Sequence, residues 1–178
     1  MGQGGRVLVV GNGRSAAQSQ HLVAELVGRF ESERSPLPAL ALAADCAVVT
    51  AIANDYGFDE VYARHVRAHG REGDVLVAFY PSGRSANVVA AAVEANGLGM
   101  LTLAVTGPFG SPLAKVCDEV VPVESAAIST IQECHLLITH ELCGAIDAAL
   151  ASENAGAGAD QAADLRRGTA TAIRVPGE

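Results

Sequence analysis

A chain of 178 residues with 49% hydrophobic content and a net charge of −8 suits one α/β domain with a sizeable core. The acidic balance argues against a phosphate-backbone surface, and 4% aromatic residues without Trp argue against base stacking, so no nucleic-acid partner is expected. The opening MGQGGR lacks a leader pattern, no apolar run approaches the ~20 residues that span a bilayer, and four cysteines without CxxC spacing read as buried thiols in a reducing cytoplasm.

Val7–Val10 is a short apolar, mostly β-branched run, the pattern of a buried parallel strand. Gly11-Asn12-Gly13 then turns the chain, and Ser15 with Gln18 has the capping-box spacing that opens a helix. On that helix Leu22, Val23, Leu26, Val27 and Phe30 form an apolar face. Gln18, His21, Glu25 and Arg29 form a polar stripe beside it.

Pro38–Ala43 reads as a second strand, and Cys46–Asn54 and Asp59–His69 as helices separated by Asp55-Tyr56-Gly57. Asp74–Tyr80 is a third strand, followed by the small-residue loop Pro81–Ser85 and a helix over Asn87–Asn96. Met100–Val105 and Glu119–Val123 are strands four and five, and Ile128–Leu150 is a final helix. Ala151–Glu178 has no sustained period and reads as a flexible tail outside a domain of residues 1–150.

Strands alternating with helices imply a three-layer αβα sandwich around a five-stranded parallel sheet. In a doubly wound sheet of order 2-1-3-4-5, the loops after strands one and three meet at the switch point where ligands bind. Gly11–Ala16 matches the dinucleotide fingerprint G-x-G-x-x-A. That motif wants an acidic residue about 20 residues on, at the end of the second strand. Glu31 and Glu33 lie in a loop and Asp45 comes 34 residues after Gly11, so no nucleotide cofactor is expected. Pro81–Ser85 reads either as a plain turn or as an anion site built from Ser82, Ser85, Arg84 and a helix N-terminus.

Two further clusters have a bland reading and a chemical one. His21 and Glu25 suit a solvated helix face. Gln132, Leu136 and His140 line up on the last helix, where apolar neighbours suit a satisfied buried histidine. His65 and His69 have metal-ligand spacing, but arginines interleave them and no carboxylate stands on that turn, so they read as surface residues. Taken alone, each cluster reads more readily as structure than as catalysis.

Taken together, the motifs resemble the sugar isomerase (SIS) domain family, in its phosphoheptose isomerase branch. The resemblance rests on Gly11-Asn12-Gly13-x-Ser15-Ala16-Ala17, Gln20-His21-x-x-x-Glu25-Leu26-x-Gly28-Arg29-Phe30 and Asn54-Asp55-Tyr56-Gly57. It continues through Ser82-Gly83-x-Ser85-x-Asn87 and Ile131-Gln132-Glu133-x-His135, followed by His140, and covers about Arg6 to Ala149. It implies conversion of sedoheptulose 7-phosphate into a heptose 7-phosphate, with Glu25 moving the carbon-bound proton and His140 serving ring opening and oxygen protonation. It further implies that Asn12, Ser15, Ser82 and Ser85 hold the phosphate, that Arg29 and Asp55 hold sugar hydroxyls, and that Gly13, Asn54 and Gln132 join the substrate site; apart from the resemblance, Arg84 first and Arg14 second are the cations expected at the phosphate. One zinc ion per subunit on His21, Glu25, Gln132 and His140, and a homo-oligomer (tetramer or dimer), complete the expectation. Arg14 stands where the family has a second glycine, and Tyr80-Pro81 stands where its phosphate loop has hydroxyl residues. A non-catalytic relative that binds a phosphosugar or a replication initiator is the alternative, and an isomerase for another sugar phosphate is a third. No membrane partner is expected.

Overall fold

Val7, Leu8, Val9 and Val10 are all buried and form β1, the strand from which the sheet grows in both directions. The computed structural model describes residues 4–169, with side-chain surroundings for residues 4–152. In chain order, β1 (Val7–Val10) leads to α1 (Arg14–Val27), β2 (Ala39–Ala41), α2 (Cys46–Tyr56) and α3 (Val61–His69). Then come β3 (Val75–Tyr80), α4 (Ala86–Gly97), β4 (Leu101–Thr106), β5 (Glu119–Pro122) and α5 (Ile128–Thr169). The five strands pair in parallel in the order β2-β1-β3-β4-β5, as the sequence predicts.

Helices cover both faces. Leu22 and Leu26 of α1 and Cys143 of α5 pack with Val7, Val9, Val77 and Phe79. On the other face, Val61, Tyr62 and Val66 of α3 and Val88, Ala91 and Ala95 of α4 pack with Leu8, Val10, Leu76 and Ala78. Each fully buried leucine or valine contributes about 1.5–3 kcal/mol. The alternation of β1 side chains between these two clusters sets α1 and α5 together on one face. That pairing matters for the site.

Several expectations change. The capping box at Ser15 does not form: the helix N-cap is Gly13, with φ of +56°, and no side chain caps it. Ser15 lies instead in the buried first turn, where its carbonyl accepts from the Ser19 hydroxyl at 2.8 Å. Gly11 is required by close approach, because a Cβ there would meet the Ser15 carbonyl at 2.6 Å. Val27 is 45% exposed, off the apolar face expected for it. The backbone of α5 stays helical through Thr169 rather than stopping near Leu150; alanine, the strongest helix former, recurs through this segment, although three glycines interrupt it. Residues 170–178 of the expected tail lie outside the described residues.

The cysteines divide: Cys143 is buried, Cys117 and Cys134 are partly buried, and Cys46 is exposed, because it starts α2 on a helix with no buried residues. Burial pushes the Cys117 and Cys143 thiols up to about 11. Among the described residues one helix segment, Ile128–Ser152, is long and apolar enough by composition to cross a membrane. Glu133, Glu141 and Asp147 interrupt that segment, so it holds no uninterrupted apolar run of that length.

Candidate active site

The loop after β1 and the loop after β3 meet, as the sheet order requires. With the start of α5 they line an open crevice of about 550 Å³ bounded by Asn12, Gly13, Arg14, Ser15, Tyr80, Pro81, Ser82, Ile128 and Gln132. The N-terminus of α1 points into this space, and first-turn N–H groups of a helix have no partners within it. The two loops are tied to each other. Asn12 Nδ2 donates to Asn87 Oδ1 at 2.8 Å, and Asn87 Nδ2 donates back to Asn12 Oδ1 at 3.1 Å. Tyr62, from α3 beneath, donates its hydroxyl to the Gly11 carbonyl at 2.9 Å.

From the crevice α1 and α5 run side by side. Gln18 Nε2 donates to the Thr139 hydroxyl, 2.6 Å away, and Thr139 in turn donates to the His135 carbonyl at 2.9 Å. Further along, His21 Nε2 and Glu25 Oε1 stand 3.2 Å apart. The His140 ring meets that of His21 edge-on, with centroids 5.2 Å apart, and Phe30 backs it at 5.5 Å. So the carboxylate and two imidazoles gather where the helices face each other. His140 is eight residues beyond Gln132, about 12 Å along the axis. The crevice and the Glu/His cluster are therefore separated by about two turns of α5, and the crevice lining includes none of His21, Glu25 or His140.

His135 is buried, 5.9 Å from the Phe79 ring, with Nε2 3.1 Å from the Thr106 carbonyl. Burial lowers its pKa, only partly opposed by that hydrogen bond, and keeps the ring neutral. It holds α5 against the end of β4.

The other expected residues separate. Asn12, Gly13, Ser15, Ser82 and Gln132 line the crevice. Arg84 lines a neighbouring cavity of about 310 Å³ with Pro108, Phe109 and Ser111, whereas Arg14 lines the crevice itself. The two cavities adjoin, sharing Pro81, Ser82 and Ile128, with Arg14 at the start of α1 in one and Arg84 in the other. Ser85 is the N-cap of α4, without a side-chain capping bond. Arg29 lies past the end of α1, exposed, donating to the Glu31 carbonyl at 3.2 Å. Asn54 and Asp55 sit at the exposed end of α2, bonded to each other at 2.9 Å and outside the crevice lining.

His21 Nε2 and Glu25 Oε1 have about the spacing of two ligands on tetrahedral zinc, ~3.3 Å for bonds of ~2.0–2.1 Å. Among the described residues, however, no three His, Cys, Asp or Glu side chains gather tightly enough to hold a metal ion. The donor types suit zinc, but among the described residues the arrangement does not close around one.

Sequence reasoning missed Asn87 and Arg34. Asn87 lay inside a quoted motif without a role, and Arg34 lay in what read as a charged loop; only tertiary contacts reveal either.

The SIS domain family model matches residues 1–107. The chain is 53% identical over 157 residues to a phosphoheptose isomerase of Streptomyces coelicolor, covering 88% of this chain and 68% of that protein. It is 48% identical over 149 residues to a phosphoheptose isomerase of Rhodospirillum rubrum, covering 84% and 79%. The solved phosphoheptose isomerase of Francisella tularensis superimposes with a TM-score of 0.78 at 45% identity, covering 81% of this chain and 77% of that one. With its sheet order, its crevice and the paired helices above it, the chain belongs to the SIS domain family, in the phosphoheptose isomerase branch.

Proposed function

We propose that the protein is an aldose–ketose isomerase that converts D-sedoheptulose 7-phosphate to D-glycero-D-manno-heptose 7-phosphate through an enediol. The observation that carries this reading is the gathering of His21 and Glu25 on α1 with His140 on α5, His21 lying against both, about two turns along α5 from the crevice that Gln132 lines. A substrate with phosphate at one terminus and its reacting carbons at the other fits such a separation. The relatives named above are isomerases of this kind, which supports the substrate class.

Moving a carbonyl from C2 to C1 requires removal of a C1 proton and its return at C2, with a proton exchanged between the two oxygens. In this proposal Glu25 accepts the C1 proton and delivers it to C2. His140 opens the ring and shuttles the proton between O2 and O1 of the enediol. His21, beside Glu25, holds the carboxylate rotamer, and Phe30 backs His140. Backbone N–H groups at the start of α1, Ser15, Ser82 and Arg14 hold the phosphate. The step is written with these side chains alone; zinc on His21, Glu25, Gln132 and His140 is a separate proposal with its own measurement.

We also place the chain in a cytoplasmic homo-oligomer. In support, α5 presents Ile128, Leu136 and Leu137 to the outside, at 44%, 38% and 64% exposure.

The test is incubation of the purified protein with sedoheptulose 7-phosphate, with aldose formation followed by chromatography. Conversion is expected. A second reading, a non-catalytic phosphosugar binder, draws on Pro81, which has no N–H to offer a phosphate. It predicts binding of the sugar phosphate without conversion.

A further inference from the structure

Helix α3 carries a pair of histidines that the isomerase site does not use. From the sequence, His65 and His69 read as surface residues with no carboxylate on their turn; the structure changes the first expectation for His65 alone. His65 is 6% exposed, because that side of α3 turns toward β2, while His69 stays in solvent. A carboxylate arrives from elsewhere in the fold: Asp45, the N-cap of α2, lies close enough to act on the charge of His65.

These groups share a pocket of about 610 Å³ lined by Leu40, Ala41, Asp45, Cys46, His65 and His69, among others. It lies on the α3 face of the sheet, whereas α1 and α5 cover the other. Both ring nitrogens of His65 are buried without a hydrogen-bond partner among the described residues. A neutral imidazole has one donor and one acceptor to satisfy, so an inward-packed ring with neither used points to a missing partner. Its neighbour one turn on, His69, has its ring centroid 6.0 Å away. Two imidazole nitrogens each ~2.0–2.1 Å from a shared ion put ring centres on the order of 5–6 Å apart.

We propose that His65 and His69 chelate a divalent transition-metal ion of zinc's class in this pocket, with the Asp45 carboxylate as the adjoining anionic group. Residues at i and i+4 share a helix face, so both rings reach one ion without moving the backbone. Asp45 uses Oδ1 to cap α2, accepting from the Ala47 and Val48 N–H groups at 3.0 and 3.1 Å. Its charge still compensates part of the ion's. Imidazole donors select zinc, nickel, cobalt or copper over magnesium and calcium, and the exposed thiol of Cys46 strengthens that preference. No three such side chains are already gathered here among the described residues. The site is an open two-histidine chelate with positions left for water, and it exchanges its ion with solution.

The test keeps any metal at the isomerase site out of the measurement. Full-length His21→Ala protein is titrated with Co2+ and with Zn2+ by calorimetry and visible absorption, beside a His21→Ala/His69→Ala double variant. Because His69 is exposed, its removal leaves the fold intact; thermal melting checks this. The single variant is expected to bind one ion per chain, with affinity reduced at least tenfold in the double variant, and Mg2+ is expected not to compete. An unchanged isotherm in the double variant overturns the proposal, as does failure of the His21→Ala protein to bind Co2+. Isomerase activity is not the readout, so its outcome and this one are independent.

Discussion

Arg34 Nε stands 2.7 Å from Asp147 Oδ1, in a contact where the two side chains are only 9% and 13% exposed. The same guanidinium donates to the carbonyls of Leu26 at 2.8 Å and Glu25 at 2.7 Å, the last turn of α1. One side chain therefore caps the helix that carries Glu25 and grips the helix that carries His140. Removing one partner of a buried pair costs about 3–5 kcal/mol. Arg34→Met is expected to lower stability by that order in a denaturant titration. Arg34→Lys keeps the charge without the fork and is expected to lower kcat more than it raises KM.

Glu25→Gln and His140→Gln are each expected to reduce turnover by ~10²–10⁴-fold, the usual contribution of a general acid or base. Melting temperatures near that of the parent protein would show that the loss is chemical. Retention of full turnover in either variant removes that residue from the mechanism.

Because Arg14, not Arg84, lines the crevice, the phosphate is expected to depend on residue 14. A charge-assisted hydrogen bond contributes ~1.5–3 kcal/mol, so Arg14→Ala should weaken binding of a phosphosugar about tenfold or more. Arg84→Ala should change it less, and neither should affect an unphosphorylated analogue. Calorimetric titration of both ligands decides between the two arginines.

His135 gives the fold a pH dependence. Its folded-state pKa lies below the ordinary ~6.5 of an unfolded histidine. Between those two values the unfolded chain binds more protons, so stability rises with pH there and is level above ~6.5. Stability is thus expected to fall as the pH drops below ~6.5 toward the folded value. His135→Gln should reduce that slope, with buried His65, whose pKa is lowered by desolvation as well, carrying the remainder, as read by urea denaturation at a series of pH values.

Zinc on His21, Glu25, Gln132 and His140 is checked by metal analysis after desalting from zinc-supplemented buffer. The expectation is a bound equivalent that His21→Ala abolishes from this set. If none is retained there, the metal proposal fails and the acid–base scheme stands on its own.

Much of the fold was legible because its signals are local. The β1 run, the glycine turn and the alternation of strand and helix specify a parallel sheet, and the sheet order then brings two loops together. The site was legible where residues share a helix face, as His21 with Glu25 and Gln132 with His140 do. What escaped depended on which way an element turns. His65 is buried because α3 rolls that side inward, and Asp45 comes to it from α2. Arg84 misses the crevice because the loop after β3 aims it at the Ser111 segment. Ser15 does not cap α1 because the turn at Gly13, with its positive φ, starts the helix two residues earlier, at Arg14. None of these is a property of local periodicity.

The reciprocal amide pair between Asn12 and Asn87 has a consequence for how this protein can vary. Asn87 is 2% exposed, so replacing Asn12 alone strands a donor and an acceptor in the interior. Replacing Asn87 alone leaves Asn12 free to swing into the crevice and occupy the space meant for an anion. Single steps at either position are therefore penalised, while a matched double exchange that restores both bonds is not. The two loops, separated by most of a hundred residues of chain, form one heritable unit, and any line of descent that alters the crevice has to alter them in concert.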